Sequence, residues 1–206
     1  MIQRRISLMG LALAGAILVS GFVLRPQPEV KSVTYTVDSQ ASTIGWKAYK
    51  VGGQHFGSIK LSSGTVTFTD GALSGGTFEM DMASMTIEDI QGDMNARLLN
   101  HLKSDDFFGV ASHTSAKLVI TQVAKGDAPG KYRVTGDMTI KGITKPVQFD
   151  AFANADKAAF TAEAFIKVNR TNYDIKYRSS TFFADIGDRA IMDEFDLNIK
   201  LAGAKK

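Results

Sequence analysis

The chain has 206 residues, of which 44% are hydrophobic, and it contains no cysteine. This length suits one domain with a sizeable core, and the lack of cysteine excludes a disulfide framework, a thiolate nucleophile and a zinc site built on sulfur. The formal net charge is +3, but residues 1–25 hold three arginines and no acid, so the rest of the chain carries 21 basic and 21 acidic residues. A neutral body has no electrostatic attraction for phosphate backbones, which argues against a nucleic-acid partner.

The first 25 residues have the pattern of an export signal. Arg4 and Arg5 precede the uncharged run 6–24, as in a secretory signal peptide. The run also approaches the roughly 20 residues that span a bilayer. We therefore predict a signal peptide or N-terminal membrane anchor over 1–25 and a proline-containing linker over 26–32. The body, residues 33–203, is predicted to lie in the periplasm or another extracytoplasmic compartment, with membrane contact through 6–24 if the segment is retained.

Period-2 alternation of apolar and polar residues dominates the body. It recurs in STIGWKAYK (42–50), GTVTFTD (64–70), GTFEMDMAS (76–84), KYRVTGDMTI (131–140), VQFDAFA (147–153), AAFTAEAFIKV (158–168) and EFDLNIKLA (194–202). Turn signals separate these segments at 62–64, 70–71, 74–76, 126–130 and 141–142. About eight short antiparallel strands with one apolar face each predict an all-β sandwich or barrel.

One stretch has helical spacing instead. Met94, Leu98 and Leu102 recur at every fourth position, which predicts a helix over 93–102. The helix leads into KSDDFF (103–108), where Ser104 and Asp105 suit a turn. We expect this segment to cap one end of the barrel, with Phe107 and Phe108 pointing inward.

The sequence offers little for catalysis or metal binding. Its three histidines, His55, His101 and His113, lack the spacing of a metal-ligand motif. His101 could pair with Asp105 or Asp106, but no nucleophile elbow accompanies them, so a helix-to-turn junction is the favoured interpretation. We predict no catalytic residue, no bound metal and no cofactor.

Two charged residues lie in otherwise strand-like runs. Asp81 and Arg170 would each be costly to bury alone. We expect the two side chains to pair and fix the strand register.

The apolar faces mix bulky and small side chains. Long phenylalanine and methionine side chains alternate with small residues, which are Ala48, Gly136, Ala151, Ala162 and Ala164. An eight-stranded barrel can be filled by its side chains or can hold one small ligand, and methionine suits pockets that adapt to their contents. The composition fits both a filled and a hollow barrel.

Five strings resemble the YceI family of exported bacterial proteins. They are STIGWKAYKVGGQHFGSIKLSSG, GGTFEMDMASM, LLNHLKSDDFFGV, VTGDMTIKGITKPVQFDA and IKVNRTNYDIKY. The chain departs from the family pattern at 112–118, where a proline is lost, and at Tyr173-Asp174, which replace a common Trp-Gly pair. The resemblance implies an extended, lipocalin-like antiparallel β-barrel with a short helix near one end. It also implies a long isoprenoid ligand, such as a polyprenyl quinone, in an apolar tunnel, and it allows a homodimer.

The leading hypothesis is an extracytoplasmic protein that sequesters or carries a long-chain isoprenoid lipid. Its predicted ligand-binding residues are Trp46, Phe68, Phe78, Met80, Met82, Phe107, Phe108, Met138, Phe149, Phe160, Ile166, Phe195 and Leu197. Candidates for contact with a polar head group are Trp46, His55 and His101. One alternative is a filled-barrel stress or protein-interaction module without a lipid. Another is an enzyme acting on a lipid precursor through His101 with Asp105 or Asp106.

Overall fold

The structure is a computed structural model that describes residues 29–205. The predicted signal or anchor over 1–25 and the first residues of the predicted linker lie outside the described residues. The strands are β1 (Ser32–Val37), β2 (Thr43–Lys50), β3 (Gly53–Thr69), β4 (Ala72–Asp81), β5 (Ser115–Lys125), β6 (Lys131–Ile140), β7 (Ile143–Ala155), β8 (Ala159–Asn169) and β9 (Ile191–Lys205). The helix α1 spans Gly92–Lys103, and short 3₁₀ turns cover Met82–Ser84, Arg170–Tyr173 and Gly187–Arg189.

The strands form one closed antiparallel barrel with eight places in its wall. The order β3-β2-β9-β8-β7-β6-β5-β4 returns to β3, which pairs with β4. The ninth strand, β1, continues the place of β2: residues 53–59 of β3 pair with β2, and 65–69 pair with β1. On the other side, β9 pairs with both strands in the same way. This confirms the predicted extended, lipocalin-like barrel and adds one strand to it.

Two of the predicted turns are strand interior. The Ser-Ser-Gly at 62–64 lies within β3, where the pairing with β4 shifts register between Leu61 and Ser63. The Ser-Gly-Gly at 74–76 lies within β4. Glycine in a strand often marks a bulge or a close backbone approach, and a Cβ at Gly64 would collide with Val37. The other three turn signals do separate strands.

The two ends of the barrel differ. The helix end carries α1, Phe107 and Phe108, which confirms the predicted helix. The plugged end is closed by Tyr35, whose ring lies 5.6 Å from that of Phe68 and 5.7 Å from that of Phe160. The Tyr35 hydroxyl donates to the carbonyl of Asp156 in the β7–β8 turn. An aromatic cluster with its polar group satisfied seals this end.

On one side of the helix end, the neighbouring strands β7 and β8 are not paired along their full length, which leaves an opening in the wall. β8 pairs with β7 only as far as Phe165, which faces Asp150. Residues 166–169 pair with β9 alone, and 143–149 pair with β6 alone. The free side of β7 holds Pro146, which has no N–H to donate and suits an unpaired edge. The 3₁₀ turn Arg170–Tyr173 contacts both β7 and β9 beside this opening.

Among residues 29–205, no helix has the length and apolar character that crossing a membrane requires.

Candidate functional site

An apolar cavity runs inside the barrel, and every strand from β2 to β9 contributes to its wall. Its volume is about 140 Å³. One water molecule needs about 10–15 Å³ of such space, so roughly ten water-sized spheres would fit. The wall is almost wholly hydrocarbon and thioether. Apolar cavities of this kind stay dry, and the space is therefore suited to a hydrocarbon ligand.

Small inward-facing residues create the cavity. Ala48, Ala162 and Ala164 line it and are only partly buried, although the pleat turns them towards the barrel axis. Leu201 and Ile199, which pair with Ala162 and Ala164 across β8 and β9, are also partly buried and line the same space. The partial burial of these inward-facing positions shows that side chains leave free space inside the barrel here.

Eleven of the thirteen predicted ligand-binding residues lie on the cavity wall. They are Trp46, Phe78, Met80, Met82, Phe107, Phe108, Met138, Phe149, Ile166, Phe195 and Leu197. Phe68 and Phe160 do not: both pack on Tyr35 in the plugged end. They face inward as predicted, but beyond the point where the cavity ends.

Aromatic side chains close the helix end of the cavity. Phe107 and Phe108 line it together with Leu102 of α1. The ring of Tyr177 lies 5.4 Å from that of Phe107 and 4.7 Å from that of His101. Residues that follow α1 and residues that follow β8 thus pack against each other at the helix end of the cavity.

The polar groups proposed from sequence for a head group already have partners. Trp46 Nε1 donates to the carbonyl of Thr86 at 3.1 Å. His55 Nδ1 lies 2.7 Å from Asp89 Oδ2. Burial acts to raise the pKa of Asp89, but the Phe56 N–H and then His55 outweigh it, and the net shift is downward.

His101 pairs with Asp106 rather than Asp105. Its Nε2 lies 3.0 Å from Asp106 Oδ2, and both side chains are partly or largely exposed. The Asp105 carbonyl instead accepts from Lys141 Nζ. The His101 ring packs edge-on against Phe107, and His101 is not among the residues that line the cavity.

The predicted pairing of Asp81 with Arg170 is wrong. Asp81 Oδ1 accepts from the backbone N–H of Ala83 at 2.9 Å and so caps the 3₁₀ turn after β4. Arg170 begins a different 3₁₀ turn, and its Nη2 lies 3.5 Å from Asp193 Oδ1. The alternating pattern continues up to Val168, so the sequence did not indicate that the strand ends at Asn169 and that Arg170 begins a turn.

Sequence reasoning missed two charged residues that line the cavity, Glu163 and Arg170, and Arg170 is the buried one. It is 4% exposed and lines the cavity. Its fork donates to three backbone carbonyls, those of Ile175, Ile191 and Met192, at 2.8–3.0 Å. Burial lowers the pKa of Arg170, and Asp193 opposes that shift. The signal in the sequence was an arginine placed just after a strand whose alternate residues are apolar.

Comparison with known proteins places the chain in a family. A family model described as a YceI-like domain matches residues 35–202. The chain belongs to the YceI-like family. The match begins within β1 and ends within β9.

Several curated relatives support this membership. A UPF0312 protein of Photorhabdus laumondii is 29% identical over 92% of this chain and 95% of its own length. A UPF0312 protein of Pseudomonas putida is 30% identical over 81% of this chain and 90% of its own.

Two solved structures share the YceI-like fold. BcnA of Burkholderia cenocepacia has a TM-score of 0.65 at 20% identity and covers 81% of this chain and 98% of its own. A polyisoprenoid-binding domain from Saccharophagus degradans has a TM-score of 0.59 at 11% identity, covering 84% and 99%. At these identities the likeness shows the fold.

In this YceI-like domain the turn that holds Arg170 buries a second polar side chain. Tyr173 lies on the same 3₁₀ turn and is 1% exposed. Burial raises the pKa of Tyr173 to about 12, so its hydroxyl stays protonated and can donate. Within residues 29–205 no group of three histidine, aspartate or glutamate side chains is arranged to hold a metal ion.

Proposed function

We propose that this protein binds a long-chain isoprenoid lipid, a polyprenyl compound or a quinone with a polyprenyl tail, and carries or sequesters it outside the cytoplasm. The observation that carries the proposal is the apolar cavity along the barrel, lined from Leu102 at the helix end to Leu201 near the plugged end. A long, narrow hydrocarbon space is complementary to a long, narrow hydrocarbon ligand.

The driving force is ample. Each methylene moved from water into such a wall contributes roughly 0.8 kcal/mol. The affinity of a tail with several isoprene units is therefore limited by ordering costs rather than by buried area. Because the free cavity is narrow, a long tail requires the lining to move. Met80, Met82 and Met138 are unbranched and suited to such repacking.

Binding is better supported than catalysis. The His101–Asp106 pair lies outside the cavity wall and packs on Phe107, so it is poorly placed to meet a buried lipid. The hollow interior also favours a carrier over a filled-barrel interaction module. The polyisoprenoid-binding domain with the same fold is an analogue in keeping with this proposal.

The extracytoplasmic location rests on the sequence of the leader. Arg4 and Arg5 followed by the uncharged run 6–24 support export. A protein outside the cytoplasm that carries isoprenoid lipid would move or buffer it in an aqueous compartment.

Native mass spectrometry of the protein purified from its natural host, followed by organic extraction, tests this function. We expect a stoichiometric adduct that extracts as a polyprenyl compound. Protein that emerges bare and takes up neither added polyprenol nor added quinone would contradict the proposal.

A cavity-filling variant gives the matched test. Ala164→Phe places a ring in the middle of the cavity, whereas Thr161→Phe adds the same ring to the outer face of β8. We expect Ala164→Phe to reduce lipid occupancy at least about tenfold, with unchanged circular dichroism, and Thr161→Phe to bind normally. Equal binding by both variants would show that the lipid lies elsewhere.

A further inference from the structure

We propose that the surface around the opening at the helix end docks on a lipid bilayer, and that the ligand enters and leaves the cavity there. This rests on the proposed lipid-binding function and adds the surface through which the lipid is exchanged. We call this surface the docking face and define it by four exposed apolar residues, Val51, Phe182, Phe183 and Met192.

Exposed apolar side chains are concentrated at the helix end. Within residues 29–205 nine large hydrophobic residues are exposed, and the docking face together with Met94 of α1 supplies five of them. At the plugged end of the described chain, Val30 is the one such residue, just before β1. Single exposed apolar residues are ordinary, whereas a group of them marks a site of interaction with a protein or a membrane.

Hydrogen bonds hold the docking face in its exposed position. The backbone N–H groups of Phe182 and Phe183 both donate to the carbonyl of Ser179, at 3.1 and 3.0 Å, and Ser179 is fully buried. The N–H of Val51 donates to the carbonyl of Ala190 at 3.0 Å, which ties the β2–β3 turn to the start of β9. The two phenyl rings are each 48% exposed although the base of their loop is fixed. Their exposure therefore belongs to the fold.

The docking face continues into the cavity wall. Met192 is 46% exposed and also lines the cavity, and its neighbour Ile191 lines the cavity as well. Arg170 donates to the carbonyls of both residues, so the start of β9 lies against the turn beside the opening between β7 and β8. Apolar surface thus extends from the outside to the interior at this place. A lipid that passes here from a bilayer into the cavity would keep its tail on apolar surface, and this favours a bilayer as the occupant.

The loop that carries the two phenyl rings suits a bilayer interface. The ammonium of Lys176 lies 5.2 Å from the centre of the Phe182 ring, and aromatic side chains with basic neighbours are typical of surfaces that insert into the head-group region. Residues 174–190 carry three acidic and three basic side chains and so have no net charge. We therefore expect insertion of the rings, and not attraction to anionic head groups, to hold the protein on the bilayer.

A fluorescent label placed at either end of the barrel tests the docking. The chain has no cysteine, so a single introduced cysteine can carry the label. Ala184→Cys places an environment-sensitive fluorophore beside the two phenyl rings, and Ala128→Cys places it in the β5–β6 turn at the plugged end. On phosphatidylcholine vesicles we expect the label at 184 to brighten and shift to the blue, and the label at 128 to stay unchanged. Added salt or anionic lipid should alter this response little.

Two double variants test the exchange of lipid. Phe182→Ser with Phe183→Ser removes two rings that do not line the cavity. Phe152→Ser with Phe165→Ser removes two rings of similar exposure from the outer wall, on β7 and β8. We expect the first double variant to transfer an isoprenoid quinone between vesicles roughly tenfold more slowly than the parent, because two apolar anchors are lost. Its uptake of quinone from detergent micelles should be unchanged, and the second double variant should transfer at the parental rate.

The outcomes separate the docking face from the carrier function. Labels at 184 and 128 that respond alike, or equal transfer by the two double variants, would overturn the docking face while the carrier function stands. A dimer of the parent that dissociates in the Phe182→Ser, Phe183→Ser variant, without any response of the label at 184 to vesicles, would assign the face to a second copy instead. A parent protein that takes up quinone from neither micelles nor vesicles would overturn the carrier function itself.

Discussion

Gly57 in β3 allows the segment after β4 to lie directly on the barrel. A Cβ at this position would overlap the carbonyl oxygen of Thr86. That oxygen accepts from Trp46 Nε1, and the Thr86 N–H donates to the carbonyl of Ser58 at 2.9 Å. Because Gly57 has no side chain, the backbone of Thr86 can approach β3 closely enough to hydrogen-bond to Ser58 and to hold Trp46 of the cavity wall in place.

We predict that Gly57→Ala destabilises the protein by about 3 kcal/mol, because the atom it meets is backbone and cannot rotate away. For a chain of this size the melting temperature should fall by about 6–12 °C. Gly75→Ala is the matched control, since a Cβ there meets nothing within 4 Å. Thermal melts followed by circular dichroism compare the two, and equal melting temperatures would contradict the packing at Gly57.

Alternation in the sequence predicts the face on which a residue lies, but not its height along the barrel. For this reason the same apolar pattern includes Met80 and Phe149, which line the cavity, and Phe68 and Phe160, which belong to the plugged end. The height depends on which strands pair and in what register, and those are long-range properties. The position of Arg170 on the cavity wall escaped prediction for the same reason: its turn is fixed by carbonyls about 21 residues away.

At the scale of elements, α1 makes few buried contacts with the barrel. None of its residues is fully buried, and Met94 on its outer face is 63% exposed. Polar ties hold it: Asn95 Nδ2 donates to the carbonyls of Ile87 and Ile90, and Lys103 Nζ donates to that of Ala83. An element held by few buried contacts opens at lower free energy than the core strands.

We predict that the amides of α1 exchange with solvent faster than those of β8 and β9, which pair along their full shared length. Bound lipid should slow the exchange of α1, because Leu102 lines the cavity and would contact the ligand. Hydrogen exchange read by mass spectrometry, with and without lipid, measures both effects. Protection of α1 equal to that of β8 in the free protein would rule out a loosely held cap.

The strands predicted with least success are those interrupted by small residues. Ser-Ser-Gly and Ser-Gly-Gly have the composition of turns, yet both occur inside long strands. β3 continues through its bulge because β1, β2 and β4 supply partners along its length. Local composition favours a turn here, and the closure of the barrel overrides it.

At the scale of the molecule, the barrel is long and its ends are unlike. β3 has 17 residues and so extends for about 55 Å, at roughly 3.3 Å per residue. One end is sealed by Tyr35 and its aromatic neighbours, and the other carries the cap and the opening beside Arg170. An amphipathic lipid would thus have a single favourable orientation, with its tail towards the seal.

Stability towards acid depends on carboxylates whose pKa is lowered in the folded protein. These are Asp89, Asp127, Asp156, Asp174, Asp193 and Asp196. Asp156 is the simplest case: the backbone N–H groups of Ala158 and then Ala159 donate to its carboxylate and lower its pKa below the usual 3.8. Asp156 lies in the β7–β8 turn at the plugged end, and its backbone carbonyl accepts a hydrogen bond from the Tyr35 hydroxyl.

A lowered pKa in the folded state stabilises the protein above the unfolded pKa, and that contribution is lost as the pH falls through the folded value. We therefore predict a melting temperature that changes little from pH 7 to about pH 5 and falls steeply below about pH 4. Asp156→Asn keeps an oxygen that accepts from Ala158 and Ala159 but does not titrate, so this variant should lose less stability between pH 5 and pH 3 than the parent. Calorimetric melts across this range measure the difference, and parallel curves for the two proteins would show that the Asp156 turn takes no part in acid unfolding.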